Sequence, residues 1–255
     1  MTSTGGNVYS DLNDLDLLRL ETATISVLTE TGRMLRSRSP EQKPGPRMSL
    51  VRSRSGNAVW LRHDVDDAMA REIGRIVARE PPSGDPRTPP TYLADYLRIL
   101  AAEPPDLQNN GGPIYTFPDD VRSPHPAQLI RSGTDDGDRL IERLEREGMP
   151  ESLSSVGFVD AGEFWEPWCT AFEGEEIASI AFTVGMSPEG AEVGVCSMVA
   201  FRGRGFAAAA VAGWGSHSEV RGKTRFYSTA WSNVSSQRVT DRLGLRFVGT
   251  RFTID

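Results

Sequence analysis

Residues 202–207, Arg-Gly-Arg-Gly-Phe-Ala, carry the clearest chemical signal in the chain. They follow a strand-like run at 193–200 and precede an alanine-rich stretch of helical character. Gly203, Gly205 and the small Ala207 let backbone amides converge, and the helix that follows adds its unbonded first N–H groups and the positive end of its dipole. Such a concavity binds phosphate through the main chain. Two nucleotide-binding patterns do not fit. A nucleoside-triphosphate loop wants Lys-Ser or Lys-Thr after its last glycine, and this chain has Phe206-Ala207 there. A dinucleotide fold expects an acid about twenty residues further on, where Arg225-Phe226-Tyr227 stands instead.

The elements that must hold this turn can be read from periodicity. Downstream, the patterns predict a helix over 205–219, a strand over 225–231, a helix over 234–243 and a last strand over 245–253; Ser232 or Asn233 caps the third of these, and Gly244 stops it. Upstream, strands at 168–172 and 177–184 flank the turn Glu173-Gly174-Glu175, with the next strand at 191–200. A helix over 138–148 and short strands at 114–117 and 127–131 come before them. In the N-terminal part, 12–28 reads as helix then strand, 33–46 as an exposed loop, and 48–54 with 58–62 as a hairpin. Asp67 caps a helix carrying Met69, Ile73, Ile76 and Val77, and Leu93, Tyr96, Leu97 and Leu100 mark a second one. The strongest break, Pro- and Gly-rich, falls at 103–113, so the domain boundary is expected there: 1–112 as an accessory region, 113–255 as the domain that holds the turn.

Composition narrows the class. The 255 residues are 38% apolar and 25% charged, which is globular. No run approaches the eighteen or so apolar residues that cross a bilayer, and residues 1–9 lack the layout of a signal peptide, so a soluble, cytoplasmic protein with no membrane partner is expected. A net charge of −7 argues against general nucleic-acid binding. Residues 33–62 are the exception, with eight bases against the single acid Glu41; they read as a solvated face or as a patch for an anionic ligand. Cys169 and Cys196 sit in apolar runs and are expected as buried thiols. His63, His125 and His217 show no ligand spacing with them, so no metal is expected. Trp165, Trp168, Trp214 and Trp231 read as core, with pocket walls as the other reading.

The order of strands, turn, helix, strand, capped helix and last strand resembles the GNAT N-acetyltransferase superfamily. Its hallmark, Arg or Gln, two residues, Gly, one residue, Gly or Ala, is met by Arg202 through Ala207. The stretch from Tyr227 to Ser236, followed by Arg242-Leu243-Gly244-Leu245, is similar to that family's next strand, Asn-capped helix and closing motif. The likeness covers roughly the second half of the chain. It implies an α/β (α+β) fold with a mixed, mostly antiparallel sheet flanked by helices, in which two strands part to admit acyl-CoA. The N-terminal region stands as an accessory α/β part or a degenerate copy of the same half.

By the resemblance, acetyl-CoA is the co-substrate. The backbone of Val195, Cys196 and Ser197 would pair with its pantetheine arm, the amides of Gly203, Arg204, Gly205, Phe206, Ala207 and Ala208 would meet the pyrophosphate, Arg202 and Arg204 would add charge, and Asn233 would touch the pantetheine. A side chain at Gly205 would stand where the phosphate approaches, so Gly205→Glu is expected to abolish CoA binding and leave the apo protein folded. Glu192, at the start of its strand, is the candidate to accept the ammonium proton of a primary amine, carried by a small molecule or a peptide. The family's usual tyrosine acid is absent, Thr240 standing in its place, which leaves Tyr227 or Ser236 as substitutes. The alternative is a non-catalytic acyl-CoA-binding or regulatory module. The subunit is expected as a monomer or homodimer.

Overall fold

The computed structural model describes residues 12–83, 85, 87–102 and 110–255. The leader reading at 1–9 and most of the expected boundary at 103–113 lie outside the described residues. In chain order the elements are α1 (Asp14–Ile25), β1 (Ser26–Leu28), β2 (Met34–Ser37), β3 (Met48–Ser53), β4 (Gly56–Leu61), α2 (Asp67–Val77), α3 (Leu93–Leu100) and β5 (Gly111–Thr116). Next come β6 (Gln128–Arg131), α4 (Asp135–Glu147), α5 (Glu151–Ser154), β7 (Cys169–Glu173), β8 (Glu176–Met186), β9 (Gly190–Ser197) and α6 (Phe206–Gly215). The chain closes with α7 (Ser218–Arg221), β10 (Thr224–Ser228), α8 (Val234–Leu243) and β11 (Arg246–Ile254). Among the described residues no helix is long and apolar enough to cross a membrane.

The chain forms two compact units. The first comprises Met1–Thr116, Ser228–Val234 and Phe247–Asp255, so the final strand belongs with N-terminal elements. Its strands run β4-β3-β11-β5. β3 and β4 form the expected antiparallel hairpin, in register from Met48 opposite Leu61 to Ser53 opposite Gly56. β11 lies antiparallel on the other edge of β3, with Thr250 opposite Arg52 and Ile254 opposite Met48. Flanked on both sides, β3 is buried at every residue. Met48, Leu50, Phe252 and Ile254 pack with Ile73 of α2 and with Tyr96, Ile99 and Leu100 of α3 to make the core. Two local readings change. Asp66, not Asp67, caps α2, its carboxylate accepting the Ala68 amide at 2.7 Å. Within the expected loop 33–46, β2 pairs antiparallel with β1.

The second unit comprises Phe117–Tyr227 and Ser235–Arg246. Its strands run β10-β9-β8-β7-β6, antiparallel except that β10 runs parallel to β9. α6 crosses over between those two parallel strands. It is buried on nearly every side, which suits a helix of Ala, Gly, Val and Trp. Small residues bring it close to the strands: a β-carbon at Gly213 would lie 2.4 Å from Cys169 Sγ on β7. Trp214 is core and donates its indole N–H to Thr183 Oγ1 at 3.0 Å.

Here too the boundaries move for physical reasons. α4 starts three residues early because Thr134 Oγ1 accepts the Gly137 amide at 3.1 Å, ahead of three acids in the first turn. The helix expected over 205–219 ends at Gly215. There the buried Arg225 guanidinium takes Gly215 O at 2.5 Å and also bonds Pro118 O and Asp119 O. Arg225, found where a dinucleotide fold would have an acid, is therefore a helix stop.

Candidate functional site

β9 and β10 pair only at their beginnings. Gly190, Ala191 and Glu192 stand opposite Thr224, Arg225 and Phe226, and the parallel register ends there. β9 continues to Ser197 and β10 to Ser228 without further pairing between them. The two strands part, and the edge of β9 from Val193 to Ser197 is open on that side. On its other side β9 stays paired with β8 as far as Ser197 opposite Ser179.

The open edge presents particular groups. The Met198 amide donates to Ala178 O on β8 at 3.1 Å. Alternation along an antiparallel ladder then turns Cys196 toward β8 as well, and its carbonyl also accepts Ser179 Oγ at 2.7 Å. Val195 and Ser197 turn their N–H and C=O outward. The expectation that all three residues offer their backbone is therefore corrected for Cys196. Ser197 O accepts Arg202 Nε at 3.3 Å, so the arginine before the turn is tied to the end of the open strand.

β9 does not feed the turn directly, as the apolar run to Ala200 suggested. A single turn of 3-10 helix, Val199–Phe201, intervenes, and the buried Phe201 ring packs edge-on against Phe206 at 5.9 Å. Gly203 (φ 78°) and Gly205 (φ 102°) both take the left-handed conformation that favours glycine. The Arg202 amide bonds Val199 O, and the next amide with a backbone partner is Ala209, bonded to Gly205 O at 3.2 Å. Among the described residues the amides of 203–208 between them have no backbone partner. These are the six amides that the spacing singled out.

Two side chains modify it. Arg204 is exposed, but its guanidinium pairs with Glu173 at the end of β7 and lies over the rings of Phe201 and Phe206, 5.6 and 5.4 Å from their centroids. Its charge is thus partly met within the protein. His125, from the loop before β6, packs edge-on against Phe206 at 4.7 Å. A β-carbon on Gly205 would lie 2.9 Å from His125 Cγ, so the space beside this glycine is filled by the imidazole. That corrects the expected reason for the glycine, and Gly205→Glu would strain the apo protein as well. Nothing in the sequence near the turn points to His125.

Glu192 is 4% exposed and stands opposite Phe226 in the last pair before the strands part, where a surface strand end was the plain alternative. Partners in a parallel ladder share a face and the next residue takes the other, so Tyr227 projects from the opposite face to Glu192. Tyr227 is buried, and its phenol shares a hydrogen bond of 2.5 Å with Ser236 Oγ on α8. The two candidate acids are brought together. Thr240 is buried, its hydroxyl donating to Gln237 O at 2.7 Å inside its own helix. Asn233 directly precedes α8; it is exposed and belongs to the first unit, its amide donating to Ala230 O at 3.1 Å.

The thiols are quiet. Burial pushes the Cys169 pKa up to about 12, the nearby Arg131 opposing weakly. Burial also raises that of the half-buried Cys196, against the pull of Arg202. Among the described residues no group of three or more His, Cys, Asp or Glu is placed to hold a metal ion.

No family model matches the chain, and no curated protein is similar to it. Among solved structures it is similar to a GNAT-family acetyltransferase from Colwellia psychrerythraea, at 13% identity and a TM-score of 0.43, covering 94% of this chain and 96% of that one. It is also similar to a GCN5-related N-acetyltransferase from Kribbella flavida, at 16% identity and a TM-score of 0.42 over 64% and 62% of the two chains. A putative GNAT acetyltransferase from Novosphingobium aromaticivorans matches at 18% identity and a TM-score of 0.36, over 57% and 66%. These likenesses are distant, and the reading of the site rests on its own geometry.

Proposed function

We propose that the second unit is an acyl-CoA-dependent N-acyltransferase, moving an acetyl group from acetyl-CoA to a primary amine of a small molecule or peptide. The observation that carries this is the parting of β9 and β10 beyond Glu192 and Phe226, beside a turn whose six amides have no backbone partner among the described residues. An open strand edge pairs with an extended amide-bearing arm, and convergent amides at a helix start hold a diphosphate. One linear molecule with both features, a pantetheine arm on a nucleoside diphosphate, fits the two together. Acetyl-CoA, when bound, supplies an acyl group activated as a thioester.

The protein's own residues do the rest. The outward N–H and C=O of Val195 and the Ser197 N–H hold the arm, and the amides of Gly203, Arg204, Gly205, Phe206, Ala207 and Ala208 hold the phosphates, with Arg202 adding charge. Glu192, in the last pair before the strands part, accepts the proton of the incoming ammonium, directly or through one water. The Tyr227 phenol, hydrogen-bonded to Ser236, gives a proton to the departing thiolate.

The test is calorimetric titration with CoA, followed by thiol release from acetyl-CoA across a panel of amines. Ala207→Glu sets a carboxylate on the first turn of α6, where the helix dipole favours it and folding is kept, but where it repels a diphosphate. Loss of CoA heat in this variant supports the reading. No heat in the wild type at millimolar CoA overturns it. A second reading, an acyl-CoA-binding module without turnover, is favoured by Thr240, whose buried hydroxyl is spent on Gln237 O. Binding without thiol release from any amine would select it.

A further inference from the structure

The first unit contains a cavity of about 400 Å³ that takes no part in the site above. Arg52, Arg87, Arg251 and Trp231 line it together with the apolar surfaces of Pro90 and Phe252, and no acid does so among the described residues. Its volume lies in the range of small-molecule sites.

The arginine run at 33–62 is mostly spent on structure. Arg38 bonds Ala23 O at 2.9 Å, Arg47 bonds Leu100 O at 2.6 Å, and Arg33 and Arg62 pair with Asp67 and Asp64. Arg52 differs. It sits on the central strand β3 with its side chain 4% exposed, and lines the cavity. Its Nη1 donates to Thr88 O at 2.7 Å, while its Nε has no hydrogen-bond partner among the described residues. An unused donor on a buried guanidinium is costly unless something else meets it. Glu80 lies 3.7 Å from Arg52 Nη2, but its carboxylate already accepts the amides of Thr91 (2.6 Å) and Tyr92 (3.2 Å) and the Tyr96 hydroxyl (3.1 Å).

The other walls add to this. Arg251 is paired with Glu21 behind the cavity. Arg87 is exposed, carries no ion pair among the described residues, and holds its guanidinium 5.7 Å over the Trp231 ring. Asp85, two residues before Arg87, accepts the Arg87 amide and the Thr88 hydroxyl with its two oxygens. The cavity thus joins two cationic groups with unmet capacity, the Arg52 Nε and the Arg87 guanidinium, to an aromatic wall.

We propose that this cavity binds a small organic anion with a flat ring, its anionic oxygens taken by Arg52 and Arg87 and its ring packed on Trp231 and Phe252. Guanidinium accepts carboxylate and phosphate alike, so the two chemistries are separated by experiment. The full chain is titrated calorimetrically with benzoate, with phenyl phosphate and with neutral benzyl alcohol. At least one anion binds, benzyl alcohol binds at least tenfold more weakly, and the better anion names the group. Arg52→Met removes the buried partner of Glu80 and endangers folding, so Arg87→Gln, on an exposed residue, is the second variant and weakens the anion about tenfold. Ala207→Glu, at the phosphate turn of the other unit, leaves that affinity unchanged. Absence of heat from both anions, equal affinity for benzyl alcohol, full affinity in Arg87→Gln, or loss of binding in Ala207→Glu would each overturn the assignment.

Discussion

The imidazole of His125 lies against the Cα of Gly205, so that a β-carbon there would come within 2.9 Å of His125 Cγ and 3.1 Å of its Cβ. Gly205 also holds φ at 102°, which L side chains rarely adopt. Gly205→Ala therefore lowers the unfolding free energy of the apo protein by about 2 kcal/mol, strain and contact together. Urea denaturation reads this directly. Adding His125→Ala to the same chain recovers part of the loss by removing the contact and leaving the dihedral strain. No recovery in the double variant would show that the ring does not press on the turn.

Tyr227 and Ser236 act as a pair through their 2.5 Å hydrogen bond. With an amine acceptor in hand, the proposed role of the phenol in proton transfer and not in binding predicts that Tyr227→Phe lowers kcat about a hundredfold while KM for acetyl-CoA stays within about threefold. Ser236→Ala, which removes only the partner, has a smaller effect. Steady-state kinetics with thiol detection decides this, and an unchanged kcat in Tyr227→Phe removes the phenol from the chemistry.

Glu192→Gln keeps the size of the side chain and removes the carboxylate proposed as the base. The expected loss in kcat/KM at pH 7 is about a hundredfold. It shrinks as pH rises toward the pKa of the acceptor amine, since more of the amine then arrives already neutral. A deficit that stays constant from pH 7 to about 10 would instead assign Glu192 a structural role.

Cys169 makes the fold sensitive to alkali. Its pKa is pushed up by burial to about 12, whereas an unfolded cysteine ionises near 8.5 to 9. A thiol raised in this way is neutral in both states at pH 7 and contributes its full stability there. As pH climbs past about 9 only the unfolded chain ionises, and that stability is lost through to about 12. Three pH units cap the effect at about 4 kcal/mol. Denaturant midpoints at pH 7 and pH 10 in wild type and Cys169→Ala test it: the variant loses less between the two. Tyr96, whose pKa burial and Glu80 also raise, adds an alkaline loss common to both proteins.

Much of the second unit could be read from its residues. The glycine turn was legible because Gly203 and Gly205 announce positive dihedrals and Ala207–Ala210 announce a helix that must be buried. Helix ends were less so. Gly215 ends α6 because Arg225, ten residues on, takes its carbonyl, and a local window does not weigh that bond. The end of β9 was hidden because Met198 through Phe201 are as apolar as a strand and only the burial of Phe201 beneath the turn bends them into 3-10 geometry. His125 and Gly205 are eighty residues apart, so no spacing rule joins them. In the first unit, Arg52 looked like one more charge on a wet face. Its burial follows from β11 returning to pair with β3, a contact between opposite ends of the chain.

The notch between β9 and β10 is also a ruler. The four steps from Val193 to Ser197 rise about 13 Å, and at their inner end the opposed Glu192 and Phe226 close it. Whatever arm lies along that edge halts at a fixed depth, so reach decides which atom arrives at the carboxylate. A carrier one or two bonds too short would dock its head and leave its cargo stranded above the floor, and a longer one would have to buckle.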